Sequence, residues 1–513
     1  MIPLLLQPES HVPLYVQLRD QIRALVHCGD LRPGERIPAS RELATQLGVH
    51  RTTVANAYAE LESEGLISGH VGRGTFIRGE NLPKKISEIP HPTSVDGSLR
   101  WESLFAEERG GEFLSRMVQR TSRGDISFVL AKPAEQFFPI EELRKCSNAV
   151  WRREGYEILQ MGPTDGYQPL KKALVSMLRS EGYEAGDDNL LITDGGQQAL
   201  DLVCKAFLRP GDTVLLENPM YPGALAIFTA ARARILGVPV NAEPGPGSPP
   251  GVDVSAIEAA LMQNRVKMMV LTPDFQNPTG TTLPVAERRR LLEIAARFQV
   301  PILEDHIYAR LRARGERVPS LMQLDHSNLV IQIDSFSKIA FPGMRVGWII
   351  APSNVIERLR IAKQSTDLHT GHLGQAILAE YVRRGLLGRH LERTRKAYSR
   401  RLAAVEQALT RHMPSGTKWT RPEGGMCVWV ELPPGFDSND LLIHTRERGV
   451  VFSPGRYFYF QNPQPNTLRL GFSGVAEREI ARGIAILADV LRGEMRKRQR
   501  GSRRAEVSRV ALV

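Results

Sequence analysis

The chain has 513 residues, 42% hydrophobic and 24% charged, with a net charge of +11, the profile of a globular protein of two to four domains. No run approaches the roughly 18–20 apolar residues of a membrane-spanning helix, and the short apolar stretch after Met1 lacks the basic flank of a signal peptide. The four cysteines (Cys28, Cys146, Cys204, Cys427) are scattered, which argues against a zinc site or a disulfide framework and fits a reducing cytoplasm.

In chain order, residues 12–78 read as a compact winged helix. Leu14, Leu18, Ile22, Leu25 and Val26 recur with helical spacing. Ser40 is placed to cap a short helix from Arg41 to Leu47, and Gly48 supplies a turn. A third helix spans about Arg51 to Glu64, with Val54, Ala57, Tyr58 and Leu61 on its buried side and Gly65 at its end. Leu66–Ser68 and Thr75–Ile77 flank Gly72-Arg73-Gly74 as a hairpin with a basic tip. Residues 79–124, with Pro83, Pro90 and Pro92, read as a linker, with Trp101–Phe105 as a candidate docking segment. From about Asp125, apolar runs alternate with amphipathic helices: Leu190–Thr193, Thr213–Leu216, Met268–Leu271, Pro301–Glu304, Leu329–Gln332 and Val346–Ile350. Such alternation predicts a largely parallel sheet covered by helices. Seven Gly or Pro among residues 241–252 mark a surface loop. From about 390 a long Arg-rich helix leads into a smaller α+β part (about 390–495) with strands near Met426–Glu431 and Thr467–Phe472. Residues 496–513 are read as a basic, disordered tail.

Net charge is no guide to partners. The first 80 residues hold eight Lys or Arg against nine Asp or Glu, whereas residues 492–509 hold eight against two. Individual positions must carry any claim of DNA binding. Arg51, Thr52 and Thr53 open the third helix, Arg41 opens the second and Arg73 tips the wing. An arginine at a recognition-helix start can grip a guanine edge in two places, and hydroxyls suit phosphate oxygens. The string Ile37–Ala44, then Leu47–Val54, Tyr58, Leu61 and Gly72–Phe76, resembles the GntR family of bacterial transcription regulators. His50 departs from it, standing where the family has a small polar cap. A winged helix used for protein contacts is the alternative.

Asp334-Ser335-Phe336-Ser337-Lys338, with Arg345 seven residues on, resembles the lysine motif of pyridoxal 5'-phosphate (PLP) enzymes of the aspartate-aminotransferase type. PLP needs a lysine for a Schiff base, and Lys338 is the candidate. Its phosphate needs helix N-terminal N–H groups, hydroxyls and an arginine, for which Gly195, Gly196, Gln197, Ser335, Ser337 and Arg345 stand ready. Asp305 suits the ring nitrogen, Asn277 and Tyr308 the ring 3' oxygen, and Tyr221 a ring face. From about Phe128 to Leu491 the order matches the fold-type-I aminotransferase pattern, which implies Lys338 and Asp305 as catalytic groups and Arg469 as the arginine for a substrate or effector carboxylate. Met161 departs from it: in Ile158–Tyr167 the family carries a tyrosine that reaches the partner subunit's phosphate. A thioether cannot donate that hydrogen bond, at a cost of about 0.5–3 kcal/mol, which weighs against efficient transamination more than against PLP binding.

The whole layout is multidomain, α+β and α/β: winged helix-turn-helix (12–78), linker (79–124), then an aminotransferase-like PLP-binding domain (125–495) with a large α/β and a small C-terminal α+β part. It is similar to the MocR/GabR-type subgroup of GntR regulators. That resemblance implies a cytoplasmic bacterial homodimer, nucleoid-associated when bound to promoter or operator DNA, that senses a small amine, amino acid or PLP through aldimine exchange at Lys338. No metal is expected. An active aminotransferase of amino acids with an accessory DNA-binding domain, a slowly transaminating regulator and a DNA-binding protein with a dead domain are the competing readings.

Overall fold

The structure, a computed structural model, describes residues 6, 13–28, 31, 34–64, 66–70, 74–78, 124–243, 245 and 248–510. The chain divides into two units, Met1–Ala106 and Glu107–Val513. The predicted linker and the docking segment at Trp101–Phe105 lie outside the described residues, as do Gly65, Gly72 and Arg73.

The described residues of the first unit form a winged helix of three helices and three strands. Its helices are α1 (Leu14–Cys28), α2 (Ser40–Leu47) and α3 (Arg51–Ser63), and its strands are β1 (Arg36–Ile37), β2 (Ile67–His70) and β3 (Gly74–Ile77). The antiparallel order is β1-β3-β2. Leu18, Ile22 and Val26 of α1 pack with Leu43 of α2 and with Val54, Ala57, Tyr58 and Leu61 of α3 in one apolar core. Arg19 pairs with Glu60 at 2.6 Å and Arg23 pairs with Glu64, tying α1 to α3. Two details differ from expectation. Ala39 rather than Ser40 holds the α2 N-cap position, with Ser40 as the first helical residue. His50 does cap α3: its Nδ1 accepts from Thr52 N at 3.5 Å and meets Thr52 Oγ1 at 2.8 Å. Gly48 ends α2 in the left-handed region at φ 64°, a conformation that favours glycine.

The second unit is built on an eight-stranded sheet. Its order is Leu190–Thr193, Gly347–Ile350, Val330–Ser335, Ile302–Asp305, Val266–Leu271, Thr213–Asn218, Arg234–Asn241 and Gly251–Val252. All six predicted strands are present within a residue or two at their starts; the last two strands were not anticipated. Four adjacent pairings from Val330–Ser335 to Arg234–Asn241 are parallel, and Gly347–Ile350 runs antiparallel to both its neighbours. Four of these strands are buried at every position, as expected where helices cover both faces.

The smaller part carries an antiparallel sheet ordered Lys418–Trp419, Cys427–Glu431, Thr467–Gly471, Ser453–Pro454. The segment that opens this unit also belongs here: Ile126–Ser127 pairs in parallel with Val450–Val451. The small part is therefore not confined to residues after 390. Residues 496–510, expected to be a disordered tail, instead continue the last helix, Glu477–Val510. No helix among the described residues is long and apolar enough to cross a membrane.

Candidate functional site

The eight-stranded sheet delivers chemistry to one edge. Five strands parallel in direction end there: Leu190–Thr193 just before Gly195, Thr213–Asn218 before Tyr221, Val266–Leu271 before Asn277, Ile302–Asp305 at Asp305 itself, and Val330–Ser335 before Lys338. Gly347–Ile350, antiparallel to both its neighbours, starts at that same edge, which brings Arg345 to it. Open α/β sheets place ligands outside the carboxyl ends of their strands, and this chain follows that rule.

These residues close a cavity of about 140 Å³. Ten of the eleven predicted cofactor residues line it: Gly196, Gln197, Tyr221, Asn277, Asp305, Tyr308, Ser335, Ser337, Lys338 and Arg345. The eleventh, Gly195, lies directly beneath the Arg345 guanidinium. A Cβ there would stand 2.8 Å from Arg345 Nη2, and one at Gly196 would stand 2.6 Å from Ile307 Cδ1. Gly195, at φ +76°, opens the helix Gly195–Phe207, so bare backbone N–H groups face the cavity at a helix N-terminus. Arg345 Nη2 donates to Asp194 O at 2.9 Å. Ser335 Oγ donates to Ser337 Oγ at 2.9 Å. Gln197 Nε2 donates to Gly223 O at 3.1 Å, and the Tyr221 hydroxyl reaches Gln197 Oε1 at 3.4 Å.

Lys338 Nζ donates to Ala131 O at 2.8 Å and lies 5.8 Å from the centre of the Tyr308 ring. Burial pushes this amine down to about 8, with Arg469 adding to the effect and Asp305 opposing it. Burial pushes the Asp305 carboxyl up to about 6; the Ile307 N–H, donating to Oδ1 at 3.1 Å, works against the rise and Asp334 adds to it. The Tyr308 phenol is raised by burial and stays protonated. Arg469, 3% exposed on Thr467–Gly471, donates from Nη1 to Asn277 Oδ1 at 2.8 Å and from Nη2 to Val129 O at 2.5 Å. Its Nε is buried without a partner. Since Asn277 Oδ1 accepts from Arg469, the Asn277 amide nitrogen is left to donate.

Several parts of the site have no signature in the sequence. The carbonyls of Val129 and Ala131 serve Arg469 and Lys338, and a carbonyl looks the same in every residue. Ile307 and Leu200 complete the lining as ordinary apolar residues. Behind the cavity, Asp334 pairs with Arg310 and, at 3.3 Å, with His306. Burial pushes the Asp334 carboxyl up, but Arg310 and His306 outweigh it and hold it below the ordinary range. Arg310 also pairs with Glu181 at 2.7 Å. Glu217 and Gln276, buried beside Asn277, were likewise not singled out; a carboxylate ending an apolar strand is the signal that could have found them. Met161 is exposed on this chain, 71% accessible.

In the first unit, Arg41, Arg51 and Thr52 are exposed and Thr53 is half-buried at the start of α2 and α3. Among the described residues Arg41 and Arg51 have no ion-pair partner, so both guanidinium groups face solvent. Arg73 lies outside the described residues.

A winged helix followed by a lysine-centred cavity on a type I aminotransferase fold defines a fusion of DNA reader and cofactor domain. Residues 132–487 match aminotransferase class I and II, and residues 14–77 match the bacterial regulatory proteins of the gntR family. The chain belongs to the class I and II aminotransferase family, within the MocR/GabR-type subgroup of GntR regulators. Aromatic-amino-acid aminotransferase 1 of Thermococcus litoralis is 36% identical over 427 residues, covering 81% of this chain and all of that protein. The probable rhizopine catabolism regulatory protein MocR of Rhizobium meliloti is 28% identical over 484 residues, 94% of each chain. Among solved structures, the α-aminoadipate aminotransferase LysN of Thermus thermophilus, complexed with N-(5'-phosphopyridoxyl)-L-leucine, superposes with a TM-score of 0.70 at 36% identity, covering 77% of this chain and 99% of that one. The cofactor of this chain is PLP. The cavity suits it on its own evidence: two glycines at a helix N-terminus where a Cβ would crowd the Arg345 and Ile307 side chains, two hydroxyls and an arginine, a buried carboxyl and a half-buried amine.

Proposed function

We propose that this chain is a PLP-dependent transcription regulator whose aminotransferase-like domain senses a small amine, an amino acid or PLP itself at Lys338, and that it acts as a homodimer on promoter DNA in the bacterial cytoplasm, on the nucleoid when bound. The observation that carries this reading is a lysine-centred cavity in the same chain as a winged helix whose Arg41 and Arg51 are exposed and have no ion-pair partner among the described residues.

When bound, PLP supplies an aldehyde that condenses reversibly with primary amines and a ring that withdraws electrons. Lys338 offers the resident amine, kept in place by Ala131 O and lowered in proton affinity by burial. Gly195, Gly196 and Gln197 present N–H groups to the phosphate, joined by Ser335, Ser337 and Arg345. Asp305 would hold the proton of the ring nitrogen. Asn277 and Tyr308 would donate to the 3' oxygen, and Tyr221 would cover one ring face. Arg469 takes the carboxylate of an amino-acid effector by turning its fork from Val129 O and Asn277, with the unpaired Nε already free. An amino-acid effector whose carboxylate met Arg469 would change what that arginine, on the small part, holds. It biases the DNA-bound state only to the extent that it binds one arrangement better than the other. On the DNA side Arg51, with Thr52, Thr53 and Arg73, reads base edges and phosphates, and Arg41 anchors the backbone.

An active aminotransferase of amino acids with an accessory DNA-binding domain is the second reading, favoured by the 36% identity to an aminotransferase over its full length. Met161, without a hydroxyl, weighs against it. The purified full chain separates the two. The regulator reading expects yellow protein that loses its colour in Lys338→Ala and binds genomic promoter fragments with steep salt dependence. No promoter binding at low salt, together with rapid exchange of amino groups between an amino acid and a keto acid, overturns it.

A further inference from the structure

Glu217, 2% exposed at the end of the strand Thr213–Asn218, takes no part in the roles described so far. Its neighbour is Gln276, 1% exposed and adjacent in sequence to Asn277. Every hydrogen-bonding position of the Gln276 side chain is used. Nε2 donates to Pro219 O at 2.8 Å and to Glu217 Oε2 at 3.2 Å. Oε1 accepts from Thr279 N at 3.0 Å and from Thr279 Oγ1 at 2.7 Å. Pro219 O can only accept and Thr279 N can only donate, so the amide has one orientation, and its second N–H must point at Glu217. This one side chain thus joins the loop after Asn218, which carries Tyr221, to the loop that carries Asn277. Tyr221 and Asn277 line the same cavity.

We propose that Glu217 is a positioning residue of the cofactor site, acting through Gln276 to hold Tyr221 and Asn277 at a fixed separation across the cavity. The proposal rests on PLP occupying that cavity. The groups that face Glu217 are Thr272, Gln276 and, through its charge, Asp305. Burial pushes the Glu217 carboxyl up to about 8 against the hydrogen bonds of Thr272 and Gln276, and Asp305 pushes the same way. Glu217 therefore works as an uncharged acid at neutral pH and adds no charge behind Asp305, the one acidic residue lining the cavity. Above about pH 8 it loses its proton and places a second negative charge beside Asp305.

The test uses the full-length holoprotein, measuring PLP dissociation and the pH profile of the bound cofactor's visible absorbance. Glu217→Ala leaves a buried Gln276 N–H unpaired and weakens PLP about tenfold. Glu217→Gln keeps an acceptor in place, restores most of that loss, and lacks the change in absorbance that the wild type is expected to show near pH 8. Gln276→Met, which removes the clamp at nearly constant volume, weakens PLP as Glu217→Ala does and supplies the answer if that variant does not fold. Wild-type PLP affinity in Gln276→Met, or a Glu217→Ala chain that loses thermal stability while keeping the wild-type affinity and pH profile, overturns the proposal. So does Glu217→Gln behaving like Glu217→Ala. A wild-type chain that takes up no PLP overturns the cofactor reading itself and is told apart from these outcomes by its lack of colour.

Discussion

Lys338 and Asp305 share one buried cavity, and burial moves both toward neutrality: the amine down to about 8, the carboxyl up to about 6. The consequence for Lys338 has a sign. Below about pH 8 the amine carries a proton and cannot attack an aldehyde; above it the amine is free. PLP uptake by the cofactor-free chain should therefore accelerate as pH rises through about 8 and level off beyond, followed by visible absorbance, while Lys338→Ala develops no band. A rate that is flat from pH 7 to 9 contradicts the burial effect. The residues of this site were legible because the chemistry demands particular types at particular strand ends: an amine, a carboxylate, two hydroxyls, an arginine and glycines without room for a Cβ. What escaped the sequence was what lies behind them. Ala131 and Val129 act through backbone carbonyls, and Gln276 acts through geometry that exists only once two loops meet.

At the scale of elements, Asp334 and Arg310 anchor the strand that ends in the Lys338 motif. Arg310 joins Asp334 of Val330–Ser335 to Glu181 at the end of the helix Gln168–Ser180, and Arg395 Nε of the long helix Leu386–His412 donates to Arg310 O at 2.6 Å. Removing Arg310 strands a buried carboxylate, so Arg310→Met should cost about 3–5 kcal/mol in urea unfolding of the full chain. Asp334 is depressed in the fold, so its pairing contributes stability above the ordinary carboxylate pKa and loses it as pH falls through the lower folded value. The penalty of Arg310→Met should accordingly shrink in acid, and adding Asp334→Asn should recover part of it. A loss under 1 kcal/mol would show that the pair does not hold the strand. Strands buried on both faces are readable as short apolar runs, whereas Arg234–Asn241 is not: only Val238 in it is buried and a proline interrupts it. Ile126–Ser127 and Val450–Val451 are two-residue strands whose pairing spans more than 300 residues, and nothing local announces it. The end of the last helix, residues 496–510, is not legible because its arginine-rich composition reads as a solvated tail.

For the molecule as a whole, the two units carry separable tasks. On the proposed function, Arg51 at the start of α3 meets a base edge and Arg41 a phosphate. Arg51→Ala should cost about 1–3 kcal/mol on the preferred promoter fragment and narrow the gap to unrelated DNA. Arg41→Ala should weaken all fragments alike and lower the salt slope by about one. Equal effects of both variants on specific and unrelated DNA would remove Arg51 from base reading. The central claim is that exchange at Lys338 controls DNA binding. It is tested most directly by titrating candidate amines and amino acids into the holoprotein while recording its visible absorbance and its affinity for genomic promoter fragments together. The account predicts that an effective amine moves both with one midpoint in the wild type and moves neither in Lys338→Ala. A wild-type chain whose absorbance changes fully while its DNA affinity stays constant would contradict it.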